Sequence, residues 1–221
     1  MDKKILISPA GAGVSIPEME DIFEKAGASF ETVFRRLEFN EVIQYTGGTG
    51  VDIGCGLNKI HSAAIGIDMR LGSKDFGYAY GANIAYRPEK SYLELSWFAD
   101  ASLDFVFSSH CIEHFADPAK SIAEMWRVLK KGGYLVAVLP DERYYPHVGA
   151  KGANLDHKMD YSPERLVTLV RQAGKCEIVQ LDTLHSKLEN VVLTKRDRFI
   201  ADHNGHKSLN FSFEGVFRKT A

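Results

Sequence analysis

A glycine-rich turn lies between two short apolar runs, and each run carries an aspartate. The stretch extends from Gly50 to Asp68 with the sequence GVDIGCGLNKIHSAAIGID, and Asp52 stands in its first apolar run. Glycines let a backbone approach a ligand closely, and a carboxylate that closes the next strand can accept hydrogen bonds from both ribose hydroxyls. The stretch therefore predicts a site for a nucleoside-containing cofactor, and so an enzyme.

The same turn is a poor match to a pyrophosphate site. A dinucleotide site uses three glycines and a helix N-terminus, whereas this chain has Gly54 and Gly56 but Asn58 where a third glycine would stand. Only residues 57–62 separate the turn from the next apolar run, although a parallel crossover usually takes ten or more residues. Either the first helix is very short or these strand boundaries are misplaced.

A second group of reactive side chains is found in the segment HCIEH. His110, Glu113 and His114 match the H-x-x-E-H pattern of inverted zinc proteases, in which two histidines on one helix face bind the metal. Such a site also needs a sustained helix and a third ligand. Asp117 and Pro118 start a new element, and nothing downstream clearly offers the ligand, so we predict no metal and interpret His114 as a packed wall of the cofactor site.

The segment PDERYYPHVGAKGANLDHKMDYSPE is predicted to contact the substrate, because open α/β sheets place their substrate loops after the strands. The predicted substrate residues are Arg143, Tyr144, Tyr145, Lys158 and Tyr161. Arg143 and Lys158 together would suit an anionic acceptor such as a phosphate or a nucleotide sugar.

Three histidines are candidates for a general base, because imidazole titrates near the working pH. They are His147 and His157, which lie in the predicted substrate segment and are preferred, and His110.

The apolar patterns predict alternating strands and helices. Buried strands are expected at residues 51–53, 64–67, 103–107 and 134–139, followed by a strand at 176–181 and a half-buried last strand at 209–217. Helices are expected after Asp117-Pro118, ending at residues 130–133, and from Ser162-Pro163 to Gly174, with helical periodicity also at residues 17–45. This order is typical of an α/β fold with a mostly parallel sheet.

Composition limits the class of protein. The 221 residues are 45% hydrophobic and 25% charged, enough for one globular core, and the formal charge of −2 argues against a general nucleic-acid binder. Three widely spaced cysteines do not form a disulfide framework, and no apolar run is long enough for a secretory leader or a membrane span. We therefore expect a cytoplasmic protein that binds neither nucleic acid nor membrane, and the sequence leaves its oligomeric state open.

Four linked motifs carry a resemblance to a known family. GVDIGCG, IGID, LDFVFSSHCIEHFADP and MWRVLKKGGYLVAVLPD, over about residues 50–141, resemble the class I S-adenosylmethionine-dependent methyltransferases of the type 11 group. The resemblance implies a Rossmann-like doubly wound sheet, mostly parallel with an antiparallel last strand, and S-adenosylmethionine as cofactor. We divide the chain into an N-terminal helical segment, residues 1–46, and a methyltransferase domain, residues 47–221, within a single domain overall.

The resemblance also implies which residues hold the methionine and ribose parts of the cofactor. The methionine end would be lined by Asp52, Gly54, Cys55 and Gly56. Asp68 would bind the ribose, and Met69 would lie against the adenine.

Two further pairs complete the implied cofactor site. Asn83 would accept a hydrogen bond from the adenine amino group in place of the family's usual acid, with Ile84 beside it. Ser109 and His110, just past the fourth strand, would face the sulfonium.

The resemblance extends to type 11 methyltransferases of cell-surface polysaccharide pathways, in which a loop like LPDERYYPH followed by DHKMDYSPE occurs. We therefore expect a small-molecule acceptor such as a sugar, a nucleotide sugar or a phosphate. The alternatives are a catalytically silent S-adenosylmethionine-binding module, an NAD-dependent oxidoreductase and a zinc hydrolase.

Overall fold

Seven strands form one sheet in the order β3-β2-β1-β4-β5-β7-β6. The structure, a computed structural model, describes residues 42–55, 59–61, 63–68, 82–85, 91–150, 153–183 and 212–221. The strands are β1 (Gly50–Ile53), β2 (Ile65–Asp68), β3 (Ala82–Ala85), β4 (Leu103–Ser109), β5 (Leu129–Pro140), β6 (Cys176–Thr183) and β7 (Ser212–Lys219). Two α-helices also lie within the described residues, α1 (Pro118–Val128) and α2 (Pro163–Ala173).

The strand directions confirm the predicted fold class. β1 is parallel to both β2 and β4, β2 to β3, and β4 to β5, whereas β7 is antiparallel to β5 and to β6. The order reverses between β1 and β4, and ligands of open α/β sheets bind outside the carboxyl ends of the strands at such a reversal. Asp52 and Asp68 on one side, and Ser109 on the other, lie near this point.

Both helices begin where the sequence signals predict, and α2 also ends there, whereas α1 ends at Val128, before the predicted stop at residues 130–133. The Asp117 carboxylate accepts a hydrogen bond from the Lys120 backbone N–H at 3.1 Å, and the Ser162 hydroxyl accepts one from Arg165 N–H at 3.3 Å. A proline follows each of these caps, and Gly174 ends α2. Such local signals need only a few neighbouring residues, which is why they can be found without knowledge of the fold.

Two predictions about strands were wrong. β5 begins at Leu129, directly after α1, whereas the predicted strand began only at Tyr134. Lys130–Gly133 are therefore part of the extended strand. β7 is not half-buried: Ser212 to Phe217 are all buried. The reason is that Phe213 and Phe217 pack in the larger of two core clusters while Val216 packs in the smaller one.

The short crossover between β1 and β2 is correctly located. The two strands pair in parallel with Val51 opposite Ile65, and the described residues between them, 54–55, 59–61 and 63–64, form no helix. The predicted N-terminal helices fall outside the described residues, except that Ile43–Tyr45 form a 3₁₀ turn. The division at residue 46 thus stays a prediction. Within the described part of the chain, no helix is long and apolar enough to cross a bilayer.

Candidate functional site

The turn after β1 requires glycine at position 54. Gly54 has φ = +73°, and its N–H donates to the Ile67 carbonyl at 2.8 Å, which joins the turn to β2. A Cβ atom added at Gly54 would lie 2.6 Å from Cys111 Cβ and 2.7 Å from its Sγ. The glycine therefore allows both the left-handed backbone and the close approach of the chain that follows β4.

Asp52 lies in β1 opposite Gly66, and Asp68 ends the neighbouring strand β2; both aspartates are buried. The Asp52 Oδ2 atom accepts a hydrogen bond from the Ile60 backbone N–H at 2.5 Å, so this carboxylate organises the crossover. Burial raises the pKa of Asp52 to about 7, and the neighbouring Asp68 charge adds to that increase. The two carboxylates give this edge the acceptor groups that a ribose and an ammonium group would need.

The structure places four predicted cofactor residues together at the ends of β1 and β2. They are Asp52, Gly54, Cys55 and Asp68. Gly56 and Met69 lie outside the described residues, as does the side chain of Asn83, whose backbone is in β3. Ile84, in the same strand, is half-buried and packs against the larger core cluster. The contacts of all these residues with a cofactor stay predictions.

His110 follows Ser109, the last residue of β4, in an unusual conformation. Its φ of +49° is uncommon for a residue with a side chain, and its N–H donates to the Val138 carbonyl of β5 at 2.9 Å. The Nε2 atom lies 3.0 Å from the Ser212 hydroxyl of β7, and 26% of the side chain is exposed. The next residue, Cys111, is the one that packs on Gly54. Sparsely populated backbone conformations of this kind concentrate at functional sites.

Glu113, His114 and His157 form a compact group that we call the His–Glu cluster. Glu113 and His114 belong to a 3₁₀ turn after β4 (Ile112–His114), and His157 comes from the segment after β5. The Glu113 side chain is 1% exposed, and its Oε1 atom lies 3.7 Å from His157 Nε2. The rings of His114 and His157 meet edge to face with centroids 4.8 Å apart.

The backbone holds this cluster together. The Lys158 N–H donates to the Glu113 carbonyl at 2.8 Å, which fixes His157 beside the turn. Burial raises the pKa of Glu113 to about 8, whereas burial and the adjacent His114 lower the pKa of His157 to about 4. Sequence reasoning found HCIEH but missed His157 as its partner, because no local spacing links the two segments.

Arg143 is less available to an acceptor than its charge suggests. Its Nη2 atom bonds to Asp141 Oδ2 at 2.5 Å and its Nε to Asp141 Oδ1 at 2.9 Å, and the Asp141 carboxylate is fully buried. The guanidinium also lies 5.5 Å from the centre of the Tyr144 ring. The buried aspartate therefore already compensates the positive charge that the sequence suggested for binding an anion.

The other predicted substrate residues divide into exposed and buried ones. Tyr145 packs its ring against His157, with centroids 5.2 Å apart, while its hydroxyl accepts from Asn154 N–H at 3.2 Å, and the Lys158 side chain is exposed. Tyr161 is only 1% exposed and packs in the larger core cluster, so its ring does not form an open substrate surface.

His147 lies on the exposed side of the same segment. Its side chain is 66% exposed, and its Nδ1 atom lies 3.0 Å from the Asp160 carboxylate. The structure therefore separates the two histidines that the sequence treated alike, because His157 is buried in the His–Glu cluster while His147 faces solvent.

A family model agrees with these features. Residues 51–137 match the model described as "Methyltransferase domain", which spans the strands from β1 into β5. No match was found among curated proteins.

Solved structures show the same fold. A S-adenosylmethionine-dependent methyltransferase from Archaeoglobus fulgidus matches with a TM-score of 0.57 and 19% identity, covering 91% of this chain and 99% of the other. A protein from Thermotoga maritima, described as a S-adenosylmethionine-dependent methyltransferase and possible histamine N-methyltransferase, matches with a TM-score of 0.54 and 23% identity over 91% and 100%. The [4+2]-cyclase SpnF matches with a TM-score of 0.55 and 17% identity over 92% and 95%.

The family match, the strand order and the acid-bearing glycine turn agree with one another. They confirm the resemblance of the sequence motifs, and S-adenosylmethionine is the cofactor of this family. Residues 51–137 therefore match a methyltransferase domain, and the chain is similar to the class I, S-adenosylmethionine-dependent methyltransferases.

Proposed function

We propose that this protein transfers a methyl group from S-adenosylmethionine to a hydroxyl oxygen of a small acceptor such as a sugar or a nucleotide sugar. The observation that carries the proposal is the position of His110. Its imidazole follows β4 directly and is partly exposed, with Nδ1 3.7 Å from Glu113 of the His–Glu cluster and Nε2 3.0 Å from the Ser212 hydroxyl. A proton acceptor beside a sulfonium site suits a hydroxyl that must lose its proton as the methyl group arrives.

On the cofactor side, each described residue has a distinct proposed role. Asp68 closes β2 and would accept from the ribose hydroxyls, while Gly54 and Cys55 would line the methionine end. Asp52 accepts a hydrogen bond from the Ile60 N–H of the crossover and would also contact the methionine end of the cofactor. The bound cofactor supplies an activated methyl group, so the protein's main work is orientation, which contributes about 7–11 kcal/mol in well-oriented models.

On the acceptor side, the charges favour a hydroxyl over a free phosphate. Arg143 is paired with the buried Asp141, which leaves Lys158 as the exposed cation of the predicted substrate set. Tyr144 and Tyr145 would provide the walls against which a sugar ring packs. His110 is our first candidate for the base and His157 the second, because His147 faces solvent beside Asp160.

Cofactor binding tests the first half of the proposal. Isothermal titration with S-adenosylhomocysteine should show one site, and Asp68→Ala should weaken it by about 10-fold to 100-fold, since hydrogen bonds to a charged group contribute about 1.5–3 kcal/mol. Asp182→Ala, at an exposed position of β6, is the matched control and should bind like the wild type. If both variants bind S-adenosylhomocysteine with equal affinity, Asp68 does not bind the ribose.

Turnover tests the second half. Release of S-adenosylhomocysteine should be screened against sugars, nucleotide sugars and sugar phosphates. With an identified hydroxyl acceptor, His110→Ala should lower kcat by about 10²-fold to 10⁴-fold, the usual contribution of a general base. Cofactor binding without turnover of any acceptor would instead favour a silent binding module, and the likeness to a cyclase shows that this fold also occurs in a protein named for other chemistry.

A further inference from the structure

The His–Glu cluster brings together three side chains of the types that bind transition metals. One ligand-type atom from each of Glu113, His114 and His157 lies within 4.8 Å of the other two. We propose that these three residues bind one divalent transition-metal ion of the zinc class.

The first argument is the unsatisfied carboxylate. Glu113 is 1% exposed, and neither of its side-chain oxygens has a hydrogen-bond partner among the residues that the structure describes. The imidazole nitrogens of His110 and His157 each lie 3.7 Å from Oε1, which is too long for a hydrogen bond. Buried polar groups in folded proteins are almost always paired, so two bare carboxylate oxygens in one interior site call for a partner. A cation is the partner that a carboxylate between two imidazoles would accept.

The second argument is the type of ligand. Two imidazole nitrogens and one carboxylate oxygen suit zinc and its neighbours, whereas magnesium and calcium prefer oxygen ligands alone. A neutral imidazole binds a metal through its nitrogen lone pair, and the rings of His114 and His157 meet edge to face with centroids 4.8 Å apart. Three protein ligands also leave a position for water or for an oxygen of a bound molecule.

The third argument is that the cluster can close without moving its backbone. A tetrahedral ion with ligand bonds of about 2.0–2.2 Å separates its ligands by about 3.4 Å, so the side chains need to approach by about 1 Å. The Lys158 N–H to Glu113 carbonyl bond keeps the two contributing segments in place during that adjustment. His114 is only half-buried, which leaves one side of the cluster open.

Around the cluster, other side chains would position the proposed ligands. His110 approaches Glu113 with Nδ1 while its Nε2 lies at hydrogen-bond distance from Ser212. A small cavity lined by Tyr145, His157 and Tyr161 lies beside the ligand set. The proposal departs from the sequence prediction of no metal, which rested on the lack of a visible third ligand. It does not depend on the proposed methyl acceptor, because metal binding can be measured without turnover.

The experiment uses the full chain, freed of metal by chelation and dialysis. Zn²⁺ is titrated by calorimetry, and Co²⁺ binding is followed by its visible absorption, which reports nitrogen and oxygen ligation directly. One ion should bind, and Glu113→Gln and His157→Ala should each weaken binding by about 100-fold or more, beyond the 10–100-fold typical of losing a residue that only supports a ligand.

Controls separate this site from surface binding and from misfolding. His147→Ala removes an exposed histidine of the same segment and should leave the ion's affinity unchanged. His114→Ala, at a half-exposed position, serves as the third ligand variant if either buried variant fails to bind S-adenosylhomocysteine or loses its cooperative unfolding. Absence of a one-to-one complex in the wild type, or wild-type affinity in the folded ligand variants, would overturn the proposal.

Discussion

Asp52 and Glu113 are both buried carboxylates at the carboxyl end of the sheet, yet their surroundings differ. Asp52 accepts a hydrogen bond from the Ile60 backbone within its own crossover, whereas neither oxygen of Glu113 has a hydrogen bond within the described part of the chain. Burial raises the pKa of both, to about 7 and about 8. The crossover itself supplies a partner for the first carboxylate. The contrast separates a carboxylate that organises the fold from one that we propose binds a metal ion.

The largest expected loss of stability comes from adding a side chain at Gly54, in the turn that follows the strand of Asp52. Gly54→Ala should lower the free energy of unfolding by about 2–5 kcal/mol, of which about 1–2 kcal/mol is left-handed strain and about 1–3 kcal/mol is the clash with Cys111. Gly132→Ala is the matched control, because Gly132 also has a positive φ of +85° but has nothing within 4 Å of an added Cβ. That variant should lose only the strain. Urea unfolding of the two variants measures the difference, and equal losses would show that the close approach is unimportant.

A third buried carboxylate, Asp141, tests what a side-chain partner is worth. Arg143→Ala should cost about 1–2 kcal/mol of stability, which is less than a fully buried pair because the guanidinium is 47% exposed. Arg218→Ala breaks an exposed pair with Glu177 and should cost no more than about 0.5 kcal/mol. If the two variants unfold at the same urea concentration, Arg143 is not a structural partner of Asp141 and is fully available to an acceptor.

The contrast between Asp52 and Glu113 should also appear in the pH dependence of the metal-free protein. Since folding raises both pKa values, the native state binds more protons than the unfolded state, and stability falls as pH rises from about 4 to about 8. Asp52 is half titrated near pH 7 and contributes the smaller part of the loss above it, and His157, with its pKa lowered to about 4, acts mainly below about pH 6.5 in the opposite direction. Between pH 7 and pH 8, the loss of stability therefore comes mainly from the titration of Glu113.

In that interval the wild type should lose about 1 kcal/mol, and Glu113→Gln should lose much less because its side chain does not ionise. Urea unfolding in the presence of a chelator, at pH 7 and pH 8, gives the comparison. The control is Asp52→Asn, which should still show the decrease in stability that the titration of Glu113 causes between pH 7 and pH 8. A wild-type loss that persists in Glu113→Gln would mean that the Glu113 carboxyl is ionised well below pH 7.

The smallest effect is expected at the exposed end of the same segment. His147→Ala removes a solvent-facing contact with Asp160 and should change stability by no more than about 0.5 kcal/mol. Thermal unfolding is sufficient to measure it. A loss of stability above 1 kcal/mol would show that His147 stabilises the fold more than an exposed side chain is expected to.

The sequence predicted what local patterns can encode. Asp117 and Ser162 marked the two helices, and the spacing from Gly50 to Asp68 located β1 and β2 although no helix lies between them in the described residues. What it could not predict depends on distant segments. β7 is buried on both faces because Phe213 packs in the larger core cluster and Val216 in the smaller one, and the contact of His157 with Glu113 joins two loops.

The electrostatic roles could not be read from residue type either. Arg143 suggested an anion site by its charge, yet its nearest partner is a buried aspartate two residues away. His147 and His157 looked equivalent in one segment, and burial distinguishes them. Exposure and pairing are properties of the folded chain, so they become visible only when the neighbours of each side chain are known.

The backbone bond between Lys158 and Glu113 couples two parts of the molecule that the chain order keeps apart. The segment after β5 cannot swing away from the turn after β4 without breaking this 2.8 Å contact. The exchange rate of the Lys158 amide proton with solvent deuterium would therefore report how often this side of the site opens. Slower exchange after an ion or an acceptor is added would show that its arrival locks the two loops together.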